Sequence, residues 1–457
     1  MSLKKYYQQL MDIKETSGSN EKILKLKEFL KDENAVKILE LMYDDSYHFG
    51  INKMAPFKRT LFSSDAAHIF RILTDLSTQR GTSNQDKIAL SQAASIDRET
   101  YDLVSLIVNK DAKCGFSNKT INKARPDTVF IAPYCRCSTS SKLENIAFPA
   151  ISQEKADGVF VNLLIDNSSV HNLHFEFRTR NWKRIWQIDH LKTFFNTVKE
   201  SIVIHGELLV VKNGKVLDRS TGNGIIYSCI NGTALQEDVE CIVMRVWDCM
   251  PYVDFFNNKC TIPYINRLSR LRKIVKEIHS PFVKLVETEH VNSMEQAMDF
   301  YSRMRKMGKE GAVLKNRSAI WKFHTSVDMI KMKNVSVAEL RIVKWKKGEP
   351  GTKYENCMGA VLCSSEEGKI QVWLGSGFSD DQRLINWNEY IGYVVSAEFD
   401  SITQNKKTGV YSLYLASFVD LRLDRTSADT YMDIINRSEN KLKDPSVKYA
   451  GRRKASV

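Results

Sequence analysis

Apolar residues recur at helical spacing through the first quarter of the chain. Ile23, Leu26, Phe29 and Leu30 share one face, and Val36, Ile38, Leu39 and Met42 share the next, the i, i+3, i+4 recurrence of amphipathic helices. Residues 66–76 continue it behind Ser63-Ser64-Asp65, which offer capping oxygens. Arg98-Glu99-Thr100 then leads into Tyr101, Leu103, Val104, Ile107 and Val108. From Asp127 the period changes. Strand-like runs at 159–165, 203–211, 241–247 and 311–315 alternate with helical patterns at 186–198, 265–278 and 293–307, while Gly214, Gly222, Gly224 and Gly232 read as turns. Beyond Val335 only short strands remain, at 358–363, 369–374, 393–399 and 411–419, separated by glycine-containing turns. The expected fold is multidomain: an all-α N-terminal domain over 1–126, an antiparallel α+β core over 127–334, and a C-terminal β-barrel of the oligonucleotide-binding (OB) type over 335–436. Residues 437–457 are polar and basic, and are expected to form a disordered tail.

A length of 457 residues fits about three domains. The net charge of +13 changes the picture more. A basic excess of this size points to a polyanion, nucleic acid first. No apolar run approaches the roughly 20 residues of a membrane-spanning helix, so no membrane partner is expected. Met1-Ser2-Leu3-Lys4-Lys5 lacks the apolar stretch of a secretion signal. The nine cysteines are an odd set without paired Cys-x-x-Cys spacing, which fits free thiols in a reducing cytoplasm rather than a zinc module.

Two stretches carry candidate chemistry. Residues 109–123 hold Lys110, Lys113, Lys119 and Lys123, with Ser117, Asn118 and Thr120 around Gly115. Main-chain N–H groups and small polar side chains at a helix start, with lysines, are what phosphate contacts require; a solvated helix face has the same composition. The second stretch, Gln153-Glu154-Lys155-Ala156-Asp157-Gly158, runs into the apolar segment 159–165. A lysine in such a setting is a candidate nucleophile, because desolvation disfavours the ammonium and only the neutral amine attacks. In an extended chain Asp157 points to the same side and can orient the amine or hold a sugar.

Lys-x-Asp-Gly alone is more often a turn with solvated charges. The order of residues downstream of Lys155 alters that balance. Arg178 and Arg180 can fork a phosphate. Glu207 sits in a strand-like run after His205-Gly206, and Trp247 offers an indole face to a purine. Glu310 precedes the run 311–315, and Lys331 and Lys333 alternate on one strand face, suited to an α-phosphate. Singly, each is an ordinary turn, core or edge residue. Jointly, chance is a poor account.

The chain resembles the covalent nucleotidyltransferase superfamily of ligases and capping enzymes, and more closely the ATP-dependent DNA ligases of T-even-type bacteriophages, from about Leu61 to Thr426. Also similar to these ligases are Lys113-Cys114-Gly115 to Lys123, Val246-Trp247-Asp248-Cys249-Met250-Pro251, Glu310-Gly311-Ala312-Val313-Leu314-Lys315-Asn316 and Gly375-Ser376-Gly377-Phe378. Val419-Asp420-Leu421-Arg422-Leu423-Asp424-Arg425-Thr426 resembles the last family motif, which closes over the ATP pyrophosphate.

By that resemblance Lys155 is adenylated by ATP. Gln153, Glu154, Asp157, Gly158 and Arg180 surround the nucleotide, with Asp157 and Arg180 at the ribose and nick phosphate, and Trp247 packs on adenine. Glu207 and Glu310 hold Mg²⁺ or sugar hydroxyls, Lys331 and Lys333 the α-phosphate, and Arg422 and Arg425 the leaving pyrophosphate. Lys110, Lys113, Gly115, Ser117, Asn118, Lys119, Lys123 and Arg178 face DNA. The implied domains are a helical DNA-binding domain, an adenylation (nucleotidyltransferase) domain and an OB-fold. The implied reaction passes AMP from Lys155 to the 5′-phosphate of nicked double-stranded DNA, then joins the 3′-hydroxyl, in replication, repair and recombination. A monomer is expected, with a sliding clamp as a candidate recruiter.

Four positions depart from the family pattern. Phe160 stands where an arginine is usual, Asp420 and Leu423 replace an arginine and an acidic residue, and Gln153 replaces a glutamate that reads the adenine amino group. An RNA ligase or GTP-dependent capping enzyme is the alternative within the superfamily, and a non-catalytic DNA-binding protein the alternative outside it. The long helical region ahead of Lys155 argues against capping. The joint presence of Lys155, Glu207, Glu310, Lys331 and Lys333 argues against a decayed core.

Overall fold

Helical periodicity in the first quarter yields α1 (Lys4–Lys14), α2 (Ser19–Phe29), α3 (Glu33–Tyr43), α4 (Ala66–Thr78), α5 (Asn84–Ala94), α6 (Arg98–Val108) and α7 (Asn118–Ala124). Their apolar stripes, including Tyr6, Leu10, Leu26, Ile38, Leu39, Leu73, Leu103 and Ile107, close on one core. Side-chain caps set where several helices start. Asp32 accepts from Asn34 N at 2.9 Å, Asp65 from His68 N at 2.8 Å and Asp97 from Thr100 N at 2.7 Å. The computed structural model describes residues 3–60, 65–168, 174–333, 336–350, 352–405 and 409–443; Ser63 and Ser64 lie outside them. The chain divides into two units, one of residues 1–138, 145–290 and 315–329, the other of residues 139–144, 291–314 and 330–457.

In the first unit the helices are followed by β1 (Arg136–Thr139), β2 (Ala150–Lys155), β3 (Val159–Asp166), β4 (His174–Thr179), α8 (Asp189–Lys192), β5 (Ile202–Lys212), β6 (Lys215–Val216), α9 (Arg219–Asn231), α10 (Gln236–Val239), β7 (Ile242–Pro251), α11 (Tyr252–Phe256), β8 (Lys259–Cys260), α12 (Tyr264–Ile278) and β9 (Val283–Leu285). A sheet in the order β4-β3-β5-β7-β9 is its centre, with β6 paired to β5. Alternation gives the sheet two different faces. Val159, Val161, Leu163, Ile204, Leu208 and Met244 point to one, where Ile226 and Ile230 of α9 and Leu271 and Ile274 of α12 cover them. Each such side chain stabilises by about 1.5–3 kcal/mol when fully buried. On the other face Phe160 lies opposite Glu207 and Asn162 opposite His205. Glu207 in turn lies opposite Arg245, and His205 opposite Asp248.

The structure corrects several expectations in this unit. Gly222 and Gly224 are inside α9 rather than in turns: Asp218 caps the helix by accepting from Thr221 N at 3.1 Å, and Gly232, at φ 75°, ends it. Burial of Ile226, Cys229 and Ile230 outweighs a glycine cost of about 1 kcal/mol each. The pattern at 186–198 gives only α8 and a 3₁₀ turn (Thr193–Phe195), because the N–H groups of Trp186 and Gln187 donate across to the Cys229 carbonyl. The core is not wholly antiparallel either, since β9 runs parallel to β7.

The second unit contains an antiparallel sheet in the order Gln371–Leu374, Met358–Ser364, Ser336–Lys347, Val394–Phe399, Ser417–Arg422. Leu340, Ile342, Val361, Val395, Phe399 and Phe418 pack with Trp387 at its core. The expected strand 411–419 is two strands: Tyr411–Tyr414 pairs with Ser401–Gln404, and Leu415, at φ 53°, turns the chain before Ser417. A helix at Tyr431–Lys443 replaces the disorder expected from Arg437 onward, at least to residue 443. Ile434 is fully buried, and Arg437 donates to both oxygens of Asp429 at 2.8 and 2.6 Å. Residues 444–457 of the expected tail lie outside the described residues.

Candidate active site

Lys155 is the last residue of β2 and is half-buried. The strand ends there, and two residues on Asp157 reaches Arg219, the first residue of α9, at 3.1 Å. Gly158 then passes very close to β5: a Cβ there would sit 2.1 Å from the Leu208 carbonyl oxygen and 2.7 Å from Leu209 Cδ2. No larger residue fits that approach. The Gly158 N–H donates to Glu207 Oε1 at 3.1 Å. The turn after the candidate nucleophile is thereby tied to a carboxylate on the central strand.

Between His205 and Gly206 the register with β7 shifts by one, and Trp247 is the extra residue. A bulge of this kind re-aims a side chain. The Trp247 ring meets Phe160 at 5.9 Å, and Phe160 stacks on His205 at 6.0 Å and meets Tyr134 edge-on at 5.0 Å. Phe160 therefore supplies an aromatic floor beside Glu207 where the family pattern places a charge. Burial draws the Arg245 guanidinium below its ordinary range, opposed by the carboxylates of Glu154 and Glu287.

A directed chain of hydrogen bonds lies beneath this floor. Lys315 Nζ donates to Tyr264 Oη at 3.2 Å, and that hydroxyl stands 2.6 Å from Gln153 Oε1 and 2.8 Å from the Trp247 carbonyl. Gln153 Nε2 donates to Thr288 Oγ1 at 3.1 Å, and Thr288 donates to the Val286 carbonyl at 2.7 Å. Gln153 is 1% exposed, so its amide is committed inside the protein and not presented to a base. Glu154 is buried as well, with its carboxylate taking the Glu287 N–H at 3.4 Å. Burial pulls the Lys315 ammonium down to about 8, with Asp248 opposing the fall. Asp248 is itself paired with Arg267 at 2.8 Å, both nearly inaccessible. Desolvation pushes the Asp248 carboxyl up, but the Arg267 charge and hydrogen bonds outweigh it and hold it below its ordinary value. Neutral imidazole is favoured at His205, which burial takes down to about 4 and whose Nδ1 lies 2.7 Å from Asn162 Oδ1.

The arginines divide. Arg178 forks onto Glu176 at 2.9 and 3.0 Å and donates to the Trp182 carbonyl, so its fork is taken up by protein groups. Arg180 is exposed, with its guanidinium 4.3 Å from the Tyr134 ring centroid. In the basic segment Lys110 is likewise turned inward, donating to the carbonyls of Leu41 and Asp44 at 3.1 and 2.7 Å, at the end of α3. Burial draws it down to about 8, against Asp44 and Asp45. Ser117 forms a capping box with Thr120 at the start of α7. Lys113, Gly115, Lys119 and Lys123 are exposed and Asn118 is half-buried.

In the second unit Glu310 precedes the strand Gly311–Asn316, while Lys331 and Lys333 close the strand Thr325–Lys333. Arg422 donates to Glu339 at 2.8 Å and to both oxygens of Asp424 at 2.8 and 2.6 Å, and Arg425 lies 3.7 Å from Asp429. No group of three or more His, Cys, Asp or Glu residues able to hold a metal occurs among the described residues. A lone carboxylate such as Glu207 suits Mg²⁺ that arrives on nucleotide phosphates, since that ion keeps waters and takes one or two protein carboxylates. Tyr134, Arg219, Tyr264 and Lys315 were not singled out from the sequence. Only Lys315 carried a signal there, its place within the 310–316 motif.

A family model described as the ATP dependent DNA ligase domain matches residues 130–333, and one described as the DNA ligase OB-like domain matches residues 350–422. The DNA ligases of Enterobacteria phages T6 and T4 are each 26% identical over 386 residues, covering 74% of this chain and 78% of theirs. A DNA ligase of Haemophilus influenzae is 26% identical over 141 residues, or 31% of this chain and 50% of that protein. The solved structure Pmar-Lig_Pre shares the fold, with a TM-score of 0.68 at 20% identity over 91% of this chain and 99% of that one. With both domain models in order along one chain, and phage ligases aligned over three quarters of it, the protein belongs to the ATP-dependent DNA ligases of T-even type.

Proposed function

We propose that Lys155 is the residue through which AMP passes from ATP to a nick. Its amine attacks the α-phosphorus of ATP, a P–N bond forms, and pyrophosphate leaves. The 5′-phosphate oxygen of the nick then attacks the same phosphorus and frees the lysine. Last, the 3′-hydroxyl oxygen attacks the 5′-phosphorus, expelling AMP and sealing the strand. These in-line displacements depend mainly on positioning and charge stabilisation. The observation that carries the reading is the Gly158 N–H bond to Glu207, which fixes the turn after Lys155 against the central strand.

Trp247, aimed by its bulge, packs on adenine, and Phe160 lies beneath. Asp157 and Glu207 take sugar hydroxyls. Arg180 grips the nick phosphate, and Lys331 and Lys333 the α-phosphate. Arg422 and Arg425 orient pyrophosphate once it displaces their carboxylate partners. Mg²⁺ held through Glu207, with Glu310, would neutralise the phosphates as the amine approaches. Residues 1–126, 127–334 and 335–436 act as DNA-binding, adenylation and OB-barrel domains that close on duplex DNA as a monomeric clamp. Lys113, Lys119 and Lys123 contact phosphates, so binding falls steeply with salt and shows little sequence preference.

Incubation with α-labelled ATP, GTP or NAD and Mg²⁺, followed by a nicked-duplex chase, tests the reading. Label from ATP alone, absent in Lys155→Ala and discharged by the nick, is the expected result. Label retained in Lys155→Ala overturns the assignment of the nucleophile.

A further inference from the structure

Tyr134 stands where the aromatic floor meets two exposed arginines. Phe160 meets its ring edge to face at 5.0 Å and 88°, and Phe160 leans in turn on His205 and Trp247. On this braced ring lie the guanidinium of Arg180, 4.3 Å from the centroid, and that of Arg136, 5.9 Å away. Both arginines have fixed main chains. The Arg136 N–H donates to the His324 carbonyl at 2.8 Å, and Arg180 lies in the turn closed by Trp182 N to Thr179 O at 2.9 Å. Arg178 and Arg184 share Glu176, whereas among the described residues no carboxylate holds Arg136 or Arg180.

We infer that Tyr134 is a positioning residue whose ring holds Arg180 and Arg136 as a paired grip for the 5′-phosphate of the nick, a role for which Phe160 has no charge. The inference rests on the proposed contact of Arg180 with that phosphate and adds Arg136 and the ring to it. A ring face attracts a guanidinium through its quadrupole while leaving the planar N–H fork free to meet phosphate oxygens. Holding two long side chains in place before binding removes freedom that the substrate would otherwise have to remove. Tyr134 is half-buried, and its ring neighbour Phe160 lies opposite Glu207, the carboxylate that holds the turn after Lys155, which sets the grip beside that turn.

The test begins from enzyme already carrying lysyl-AMP, mixed in excess with nicked duplex, and follows AMP transfer to the 5′-phosphate. Losing a guanidinium–ring contact at an exposed site corresponds to roughly 2–5-fold in rate. Tyr134→Leu should slow transfer by about 4-fold, and Tyr134→Phe, which keeps the ring, should remain within about 1.5-fold. Tyr134→Leu combined with Arg180→Ala should be little slower than Arg180→Ala alone, because the two act as one. Multiplying defects would overturn the positioning role, and so would a full-speed Tyr134→Leu. If instead Arg180→Ala alone transfers at full speed, the reading of Arg180 falls first. Arg136→Ala, a surface change, should erode the preference for a 5′-phosphate over a 5′-hydroxyl nick by about 3–10-fold in affinity. An unaltered preference would remove Arg136 from the grip and overturn the pairing.

Discussion

Replacing Gly158 by alanine puts a methyl group where the fold has no room for one. Its carbon would lie 2.1 Å from the Leu208 carbonyl oxygen, 2.7 Å from Leu209 Cδ2 and 3.1 Å from the Leu208 carbonyl carbon. An ordinary carbon–oxygen contact is longer by about 1 Å, and the oxygen cannot yield, because β5 is bonded on both sides, to β3 and β7. The turn must retreat instead. A retreat of that size stretches the 3.1 Å bond from Gly158 N to Glu207 Oε1 beyond bonding range. Overpacking costs about 1–3 kcal/mol, and a hydrogen bond to a charged acceptor is worth about 1.5–3 kcal/mol. Displacement of the nucleophile by about 1 Å can cost 100-fold in rate. We expect Gly158→Ala to remain folded, to lose about 3–4 kcal/mol of stability, and to form lysyl-AMP about 100-fold more slowly. Single-turnover labelling with α-labelled ATP measures the rate, and urea unfolding the stability. Wild-type labelling by a folded Gly158→Ala protein would refute the claim that this close approach places Lys155.

Lys110 and Lys119 should separate cleanly. Lys110→Ala removes two bonds at the end of α3 and should cost about 2 kcal/mol without altering the salt dependence of DNA binding, whereas Lys119→Ala should lower the log–log salt slope by about 1. Lys315 titrates at about 8 against an ordinary 10.5, so folding disfavours its charged form by about 3 kcal/mol. That penalty is complete below the folded value and vanishes as pH rises through the unfolded one. Lys315→Met should therefore be more stable than wild type near neutral pH, with the gain shrinking towards about pH 10.5; a pH-independent difference in urea midpoint would count against it. Asp248→Asn strips the partner from buried Arg267 and should destabilise by about 3–5 kcal/mol. Arg422→Ala should slow lysyl-AMP formation at least 10-fold yet leave sealing of a pre-adenylated nick near its normal rate, since no pyrophosphate leaves in that step; equal losses in both would exclude a pyrophosphate role.

Local pattern in the sequence was enough to set the helical first quarter and three strands of the central sheet, β3, β5 and β7, but not β4 or β9. It also identified the ordered motifs that mark a DNA ligase, with Lys155 as the candidate nucleophile. These features depend on neighbours within a few residues, or on residue types in a fixed order, and both survive in one dimension. Side-chain roles that depend on a distant partner did not. Gln153 has the composition of a nucleotide contact but bonds to Tyr264, 111 residues away, and Lys110 has the composition of a phosphate contact but bonds to Leu41, 69 residues away. Arg178 and Arg180, two residues apart, are indistinguishable by type; Glu176 occupies one and the Tyr134 ring receives the other. Gly222 and Gly224 read as turn residues until the burial of α9 against the sheet outweighed their local preference. Only the tertiary structure could decide these cases, because the same amine, amide or guanidinium serves solvent, substrate or core, and long-range packing fixes which of the three it meets.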